Sequence, residues 1–249
     1  MVENNNASCV AIGNFDGIHI GHDSLIKRML ELSKDKNLKS VIITFKYVKK
    51  ELRKSNYNLK YINNLNTRVE LLKSYGVDLV AEIELDEIIS RYSPERFIKE
   101  ILIENFNAKN IVVGYNFTFG YKAMGNINTL KEFEKKYGYE VEEIPPVKYK
   151  GIAVSSTLVR DLVREGKIHD ANSLLINNYT IYNNEIKFDY NKNIAFADNK
   201  NSIIIPADGK YKVRIGNDEL FLTILSNKDE KIFMFDRKIE VGQDIVFLG

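Results

Sequence analysis

Apolar and polar positions alternate in a regular order through roughly the first 175 residues. Apolar runs that predict buried strands fall at 9–13, 39–45, 77–83, 110–114 and 139–144. Stretches with helical spacing of apolar residues fall at 22–36, 67–76, 93–106 and 127–138, and shorter helical stretches follow residue 154. Strands that alternate with helices predict an α/β fold, with a parallel sheet covered on both faces.

The pattern changes near residue 178. From there the chain has short apolar runs, little helical spacing, and turn signals at Asp208-Gly209, Gly216-Asn217 and Asn227-Lys228. These features predict a small antiparallel β-barrel-like domain. We therefore expect two domains, 1–180 and 181–249.

Composition and charge narrow the class of protein. The 249 residues are 44% hydrophobic and 28% charged, as in a soluble globular protein, and the net charge of +2 is too mild for a nucleic-acid-binding protein. Cys9 is the only cysteine, which favours a reducing compartment. No secretory signal is recognisable, and no apolar run reaches the ~20 residues that span a bilayer. We expect a cytoplasmic protein without membrane association.

The segment "GNFDGIHIGH" (13–22) carries the first candidate chemistry. Two of the three histidines, His19 and His22, lie in this glycine-rich loop between a strand and a helix. Such a loop presents backbone N–H groups at the positive end of a helix, and glycines such as Gly13 and Gly21 let the backbone approach a phosphate. The histidines could then donate hydrogen bonds to phosphate oxygens and stabilise charge that develops during transfer.

Other interpretations of this segment are weaker. The histidines could simply fill a turn, which is less expected for a pair at a strand-to-helix junction. A zinc site would have only Cys9 and His169 as further soft ligands, so we predict no metal-binding residues in the chain. "HIGH" is also a signature of class I aminoacyl-tRNA synthetases, but the lysine-rich "KMSKS" loop of those enzymes is missing.

Two further unusual loops, at 114–126 and 151–157, also follow or adjoin predicted strands. Ligands of parallel sheets bind beyond the carboxyl ends of the strands, so we expect all three loops to meet at one edge. In the third loop a Ser-Ser-Thr run, Ser155 to Thr157, begins a helix and offers hydroxyls and N–H groups to phosphates. Arg160, one turn later, could grip the same anion with two hydrogen bonds.

Three stretches in the same order and spacing carry a resemblance to a known family. They are "VAIGNFDGIHIGH" (10–22), "VVGYNFTFGYKAMG" (112–125) and "VSSTLVRDLVREGKIHDANSLL" (154–175). Together they resemble the FMN adenylyltransferase module of bacterial bifunctional riboflavin kinase/FAD synthetases, a Rossmann-like HxGH nucleotidylyltransferase. The resemblance implies that the FMN phosphate attacks the α-phosphate of ATP, with Mg²⁺ assistance, to give FAD and pyrophosphate.

The resemblance also implies a set of site residues. The residues that match its catalytic positions are His19, His22, Asn116, Ser156, Thr157 and Arg160. The residues that match its substrate-binding positions are Gly13, Phe15, Asp16, Gly21, Gly114, Phe119, Gly120 and Ser155. Phe119 has an alternative interpretation as a core residue.

The chain departs from the family in two places. Where the family usually has "TFDPHP", this chain has "TFKYVKKEL" (44–52), in which Lys46, Lys49 and Lys50 could attract an anionic substrate. The C-terminal part resembles a riboflavin kinase barrel, yet it lacks the kinase signature "GFPTAN" and has "NIAFADNKNS" (193–202) at that place.

We therefore predict an enzyme that makes FAD from ATP and FMN but does not phosphorylate riboflavin. Two alternatives stay open, a nucleotidylyltransferase for a different phosphate acceptor and a non-catalytic flavin- or nucleotide-binding protein. The expected partners are these small molecules, and the C-terminal domain could mediate oligomerisation.

Overall fold

The computed structural model describes residues 7–47, 60–189, 193–198, 203–227, 230–240 and 242–249. Contacts divide these residues into two compact units. The first lies within Met1–Phe15, Gly21–Asn58 and Leu65–Lys148, and the second within Asp16–Ile20, Leu59–Asn64 and Tyr149–Gly249. The domain limits expected from the sequence, 1–180 and 181–249, stay a prediction.

The first unit contains a parallel five-stranded sheet. Its strands are β1 (Ser8–Ile12), β2 (Lys39–Tyr47), β3 (Leu79–Leu85), β4 (Ala108–Gly114) and β5 (Glu140–Ile144). Their spatial order is β3-β2-β1-β4-β5, and each neighbouring pair is parallel. The predicted α/β fold with a parallel, Rossmann-like sheet is confirmed.

The burial of each strand follows from its place in this sheet. β1 is central, and all of its residues are buried because both faces of the sheet are covered. Val10 and Ile12 join a core cluster with Ile98 and Leu102, whereas Cys9 and Ala11 are buried against the opposite face. The edge strand β3 instead alternates between half-buried and exposed positions over most of its length.

Four α-helices belong to the described part of this half of the chain. They are α1 (Ile20–Asp35), α2 (Leu65–Lys73), α3 (Pro94–Arg96) and α4 (Ile127–Tyr137). Ser93 caps α3 as expected, since its hydroxyl accepts the Arg96 N–H at 3.2 Å. The predicted helix over 93–106 differs in one respect, because α3 continues as a wider π-helix over Phe97–Asn105.

Where the structure describes it, the second unit combines two α-helices with an antiparallel sheet. The helices are α5 (Ser156–Arg164) and α6 (Ile168–Leu174), and two short strands, β6 (Lys148–Tyr149) and β7 (Ile152–Ala153), precede them. Seven strands follow: β8 (Thr180–Ile181), β9 (Lys187–Asp189), β10 (Ile194–Asp198), β11 (Gly209–Ile215), β12 (Asp218–Asn227), β13 (Glu230–Phe235) and β14 (Ile245–Phe247).

These seven strands form one curled, antiparallel half-barrel in the order β8-β14-β11-β12-β13-β10-β9. The predicted antiparallel β part is therefore confirmed. Its inner face packs on the apolar sides of α5 and α6, where Val159, Val163 and Leu174 are fully buried. Among the described residues, no helix is both long and apolar enough to cross a membrane.

Candidate active site

The first two sequence motifs follow adjacent strands of the parallel sheet. The loop that begins at Gly13 follows β1, and the loop that begins after Gly114 follows β4. β1 and β4 are neighbours at the point where the strand order reverses direction. In open α/β sheets this crevice is where ligands bind, because the loops on its two sides run in opposite directions.

Phe15 shapes the first of these loops. Its backbone has a left-handed conformation (φ 49°), which is uncommon for a non-glycine residue, while its side chain is fully buried. The ring lies 5.2 Å from that of His22, centroid to centroid, and a Cβ added at Gly13 would be 3.3 Å from it. The buried Phe15 ring therefore fixes the position of the His22 imidazole in the first turns of α1.

The second loop, which carries Asn116, packs on a cluster of phenylalanine rings. Asn116 is exposed two residues after β4, and its side-chain oxygen lies near Gly114. Phe119 is buried between the rings of Phe117 and Phe97, at centroid distances of 5.5 and 5.4 Å. This position agrees with the alternative interpretation of Phe119 as a core residue, whose ring packs beneath the loop backbone and stabilises it.

Gly120 and Gly125 allow this packing. Gly120 lies against the backbone of Pro94, where an added Cβ would be 3.0 Å from the Pro94 nitrogen. A Cβ at Gly125 would be 2.8 Å from the Phe119 ring. The loop is closed by two backbone hydrogen bonds between Phe119 and Gly125, at 3.0 and 2.9 Å.

The remaining motif residues come together in the second unit around Asp16. One carboxylate oxygen of Asp16 accepts a 2.7 Å hydrogen bond from the Arg160 guanidinium, and both side chains are buried. Its other oxygen accepts the backbone N–H groups of Ile62 (2.9 Å) and Asn63 (3.2 Å). A buried ion pair of this kind is costly unless its hydrogen bonds are satisfied, and here both oxygens of the carboxylate are engaged.

The N-terminus of α5 is also hydrogen-bonded to Asp16. Ser155 caps the helix by accepting the Leu158 N–H at 3.2 Å, and the Ser156 hydroxyl donates to the Asp16 carbonyl at 2.8 Å. Arg160 also donates to the Thr157 hydroxyl at 3.2 Å. The first and third motifs are thus joined by hydrogen bonds, and the arginine is held at the positive end of a helix, where anions bind.

His19 lies beside this arginine in a buried position. Burial lowers the pKa of its imidazole from an ordinary value of 6.5 to about 4, with a further lowering contribution from the Arg160 charge and partial compensation by a backbone hydrogen bond. The imidazole is therefore neutral at neutral pH. A neutral imidazole keeps one N–H donor, which is what a hydrogen bond to a phosphate oxygen requires.

The low pKa of His19 predicts a loss of stability in mild acid. A group whose pKa falls on folding stabilises the folded state above its unfolded pKa, near 6.5, and this stabilisation is lost as the pH falls towards about 4. Between about pH 7.5 and about pH 5, we expect the wild type to lose about 2 kcal/mol more unfolding free energy than His19→Gln. Urea denaturation of both proteins across this pH range measures the difference, and parallel curves would contradict the expectation.

Gly17 is the tightest backbone position in the first motif. Its φ is +58°, and an added Cβ would lie 2.5 Å from the buried Ile62 side chain. We expect Gly17→Ala to lower the unfolding free energy by about 3 kcal/mol, from strain plus overlap. Gly138→Ala is the matched control, because Gly138 also has a positive φ but nothing within 4 Å of its Cβ, so its cost should be about 1 kcal/mol. Equal losses in thermal denaturation would show that the contact with Ile62 does not matter.

The predicted site residues thus fall into two sets. The second unit holds Asp16, His19, Ser155, Ser156, Thr157 and Arg160, and the first holds Gly13, Phe15, Gly21, His22, Gly114, Asn116, Phe119 and Gly120. The expected meeting of all three loops stays a prediction. Sequence reasoning missed the backbone N–H groups of residues 62–63, because nothing in "YINNLN" (61–66) marks a partner for a distant aspartate.

The altered segment after β2 is only partly described. Lys46 is exposed and forms a 2.6 Å ion pair with Glu84 on β3, which raises the pKa of its ammonium group. This neighbouring carboxylate partly offsets the charge that was expected to attract an anionic substrate. Lys49 and Lys50 lie outside the described residues.

Comparison with known proteins identifies the family. A family model described as FAD synthetase matches residues 1–158. A bifunctional riboflavin kinase/FMN adenylyltransferase from Buchnera aphidicola subsp. Acyrthosiphon pisum is 31% identical, over 96% of this chain and 82% of that protein. The chain belongs to the FAD synthetase family. The family match includes the first two motifs and Ser155 to Thr157, and it ends two residues before Arg160.

Other FAD synthetase relatives match over a shorter region. The bifunctional riboflavin kinase/FMN adenylyltransferase of Buchnera aphidicola subsp. Schizaphis graminum is 37% identical over 69% of this chain and 55% of that protein. The protein of that description from Escherichia coli (strain K12) is 29% identical over 67% of this chain and 54% of its own length. The matched region thus spans about half the length of these two curated relatives.

One solved structure has the same fold over nearly the whole chain. It is described as a macrolide-efflux protein from Streptococcus pneumoniae, and it superposes with a TM-score of 0.78 over 97% of this chain and 85% of its own. Its sequence is 23% identical, so the likeness concerns the fold of this FAD synthetase family member and not its activity.

Proposed function

We propose that this protein transfers the AMP moiety of ATP to FMN, giving FAD and pyrophosphate. Membership of the FAD synthetase family supports the reaction class. The observation that carries the proposal for this chain is the Asp16–Arg160–Thr157 group at the N-terminus of α5, with the neutral His19 beside Arg160. Hydroxyls, helix N–H groups, a guanidinium and an imidazole are the donors that a triphosphate needs.

In this proposal an FMN phosphate oxygen attacks the α-phosphorus of ATP. A new P–O bond forms there, the bond between the α-phosphorus and the oxygen that bridges to the β-phosphate breaks, and pyrophosphate leaves with that electron pair. No covalent enzyme intermediate is needed, because positioning and charge stabilisation carry such transfers. Arg160 has five N–H donors, of which one donates to Asp16 and one to Thr157. We assign the other donors to the polyphosphate of ATP.

The remaining predicted residues keep roles taken from the motif. We propose that His19 and His22 donate hydrogen bonds to the phosphates, that Asn116 orients a phosphate or the flavin phosphate, and that Ser156 and Thr157 bind through hydroxyls and backbone N–H groups. Gly13, Gly21 and Gly114 would let the backbone approach the substrate closely.

We propose that magnesium arrives with ATP as MgATP. Among the described residues, no group of three or more His, Cys, Asp or Glu side chains could hold a metal ion. Mg²⁺ is commonly held by substrate phosphates and water with few protein ligands, so a site of this kind is compatible with an ATP-bound cation. We also propose a cytoplasmic location, in line with the single cysteine.

The test is an assay of the purified full chain with ATP, Mg²⁺ and FMN. We expect FAD and pyrophosphate in equal amounts, and no FMN when riboflavin replaces FMN. Formation of FMN from riboflavin would refute the absence of kinase activity. Transfer of a nucleotide to another phosphate compound without any FAD would favour a different acceptor, and binding of ATP or FMN without turnover would favour a non-catalytic protein.

A further inference from the structure

Residues 60–64 belong to the second unit and contact the candidate site. They separate β2 from α2 in sequence, yet Ile62 is buried in the core cluster that contains the inner faces of α5 and the antiparallel sheet. The backbone N–H groups of Ile62 and Asn63 both bind the Asp16 carboxylate. This short segment therefore fixes the acid that holds Arg160.

The C-terminal β part in turn holds residues 60–64. The Ile204 N–H donates to the Tyr61 carbonyl at 2.7 Å, and the fully buried Tyr179 hydroxyl donates to the Ile204 carbonyl. At the other end of the segment, the Asn64 side chain donates to the Glu185 carboxylate at 2.6 Å. Glu185 belongs to the turn between β8 and β9, and its second oxygen accepts the Tyr182 N–H at 3.0 Å.

We propose that Asn64 and Glu185 are positioning residues for the triphosphate. They fix residues 60–64, the N–H groups of Ile62 and Asn63 then orient Asp16, and Asp16 orients Arg160. In this proposal the C-terminal β part supports nucleotide binding, and this role does not require riboflavin kinase activity. This inference rests on the proposed function, because it takes ATP as the ligand that Arg160 binds.

Asp16 preorganises the Arg160 side chain for its ligand. Arginine loses side-chain entropy when it is held for a ligand, and a partner that holds it beforehand removes this cost from binding. The N–H groups of Ile62 and Asn63 hold one carboxylate oxygen of Asp16 while Arg160 binds the other, so loss of these two backbone donors would loosen the orientation of Asp16 towards Arg160. The Asn64–Glu185 and Glu185–Tyr182 hydrogen bonds do not themselves include a proposed phosphate ligand, so we expect their effect to pass through Asp16.

The experiment is a double-mutant cycle on MgATP affinity, measured by isothermal titration calorimetry of the full chain without FMN. Asn64→Ala should weaken MgATP binding about fivefold, the size of one lost hydrogen bond. Glu185→Ala should weaken binding at least as much, because it also removes the acceptor of the Tyr182 N–H. Glu185→Gln, which keeps an acceptor for Asn64, should stay within about twofold of the wild type. In an Asp16→Asn background, Asn64→Ala should add less than about twofold, because the route through Asp16 is already broken.

Asn193→Ala is the control for general loss of stability. The Asn193 side chain, just before β10, donates to the carbonyls of Phe235 at the end of β13 and of Arg237 just after it. Its own φ is +54°, so this variant should be at least as destabilised as Asn64→Ala. We expect its MgATP affinity to be unchanged. The inference would be overturned if Asn193→Ala weakened MgATP binding as much as Asn64→Ala does. It would also be overturned if Asn64→Ala weakened MgATP binding equally in the wild-type and Asp16→Asn backgrounds, or did not weaken it in the wild type. A wild type that does not bind MgATP would instead refute the proposed function, and the inference with it.

Discussion

Arg160→Ala is expected to lower kcat/KM for FAD formation by about 10²–10³-fold and the unfolding free energy by about 3 kcal/mol or more. The first effect follows from the loss of the donors that we assign to the polyphosphate. The second follows because Asp16 is 3% exposed and would keep a buried charge without its ion-pair partner. Steady-state kinetics with FMN as acceptor and urea denaturation measure the two effects separately.

A second variant separates these two causes. The double replacement Asp16→Asn with Arg160→Met removes both buried charges and keeps similar volumes, so it should recover most of the lost stability while FAD formation stays low. Arg160→Lys should keep the positive charge but lose the planar guanidinium that donates to Asp16 and Thr157 at the same time. Its kcat/KM and its unfolding free energy should therefore lie between those of the wild type and Arg160→Ala. Recovery of activity in the double variant would show that the arginine serves the fold alone.

The parallel sheet could be predicted from the sequence because its signals are local. Residues 9–12 of β1 form an apolar run because the strand is buried on both faces, and residues 111–113 of β4 do so for the same reason. The Ser93-Pro94 start of α3 is likewise set by residues that lie next to each other in sequence. The π-helical continuation of α3 leaves no such local signal, because apolar spacing alone does not separate it from an α-helix.

The candidate site was harder to predict, because its key contacts join distant parts of the chain. The motif identified Asp16 and Arg160, but not that they form a buried ion pair, since 144 residues separate them. The role of residues 60–64 depends on where the β2–α2 connection packs, which no pattern in that connection reveals. Phe119 belongs to the motif and is nevertheless a core residue, because the loop that presents Asn116 needs an apolar base.

His19→Ala is expected to lower the rate of FAD formation by about 10²–10³-fold, the usual loss when a hydrogen-bond donor to developing charge is removed. Because burial holds the pKa of His19 at about 4, the free protein has a neutral imidazole there, so the histidine acts as a donor and not as a second cation beside Arg160. His19→Gln, whose amide also donates, should therefore keep more activity than alanine. Single-turnover measurement of FAD formation at saturating ATP and FMN isolates this step.

His169 supplies the matched control for this prediction. It is the third histidine of the chain and lies exposed on α6, outside the predicted site. His169→Ala makes the same chemical change at an exposed position of α6, so FAD formation should stay within about twofold of the wild type, as for most surface substitutions. If His19→Ala and His169→Ala were equally active, the imidazole beside Arg160 would have no part in the transfer, and α5 with its arginine would have to stabilise the phosphates without it.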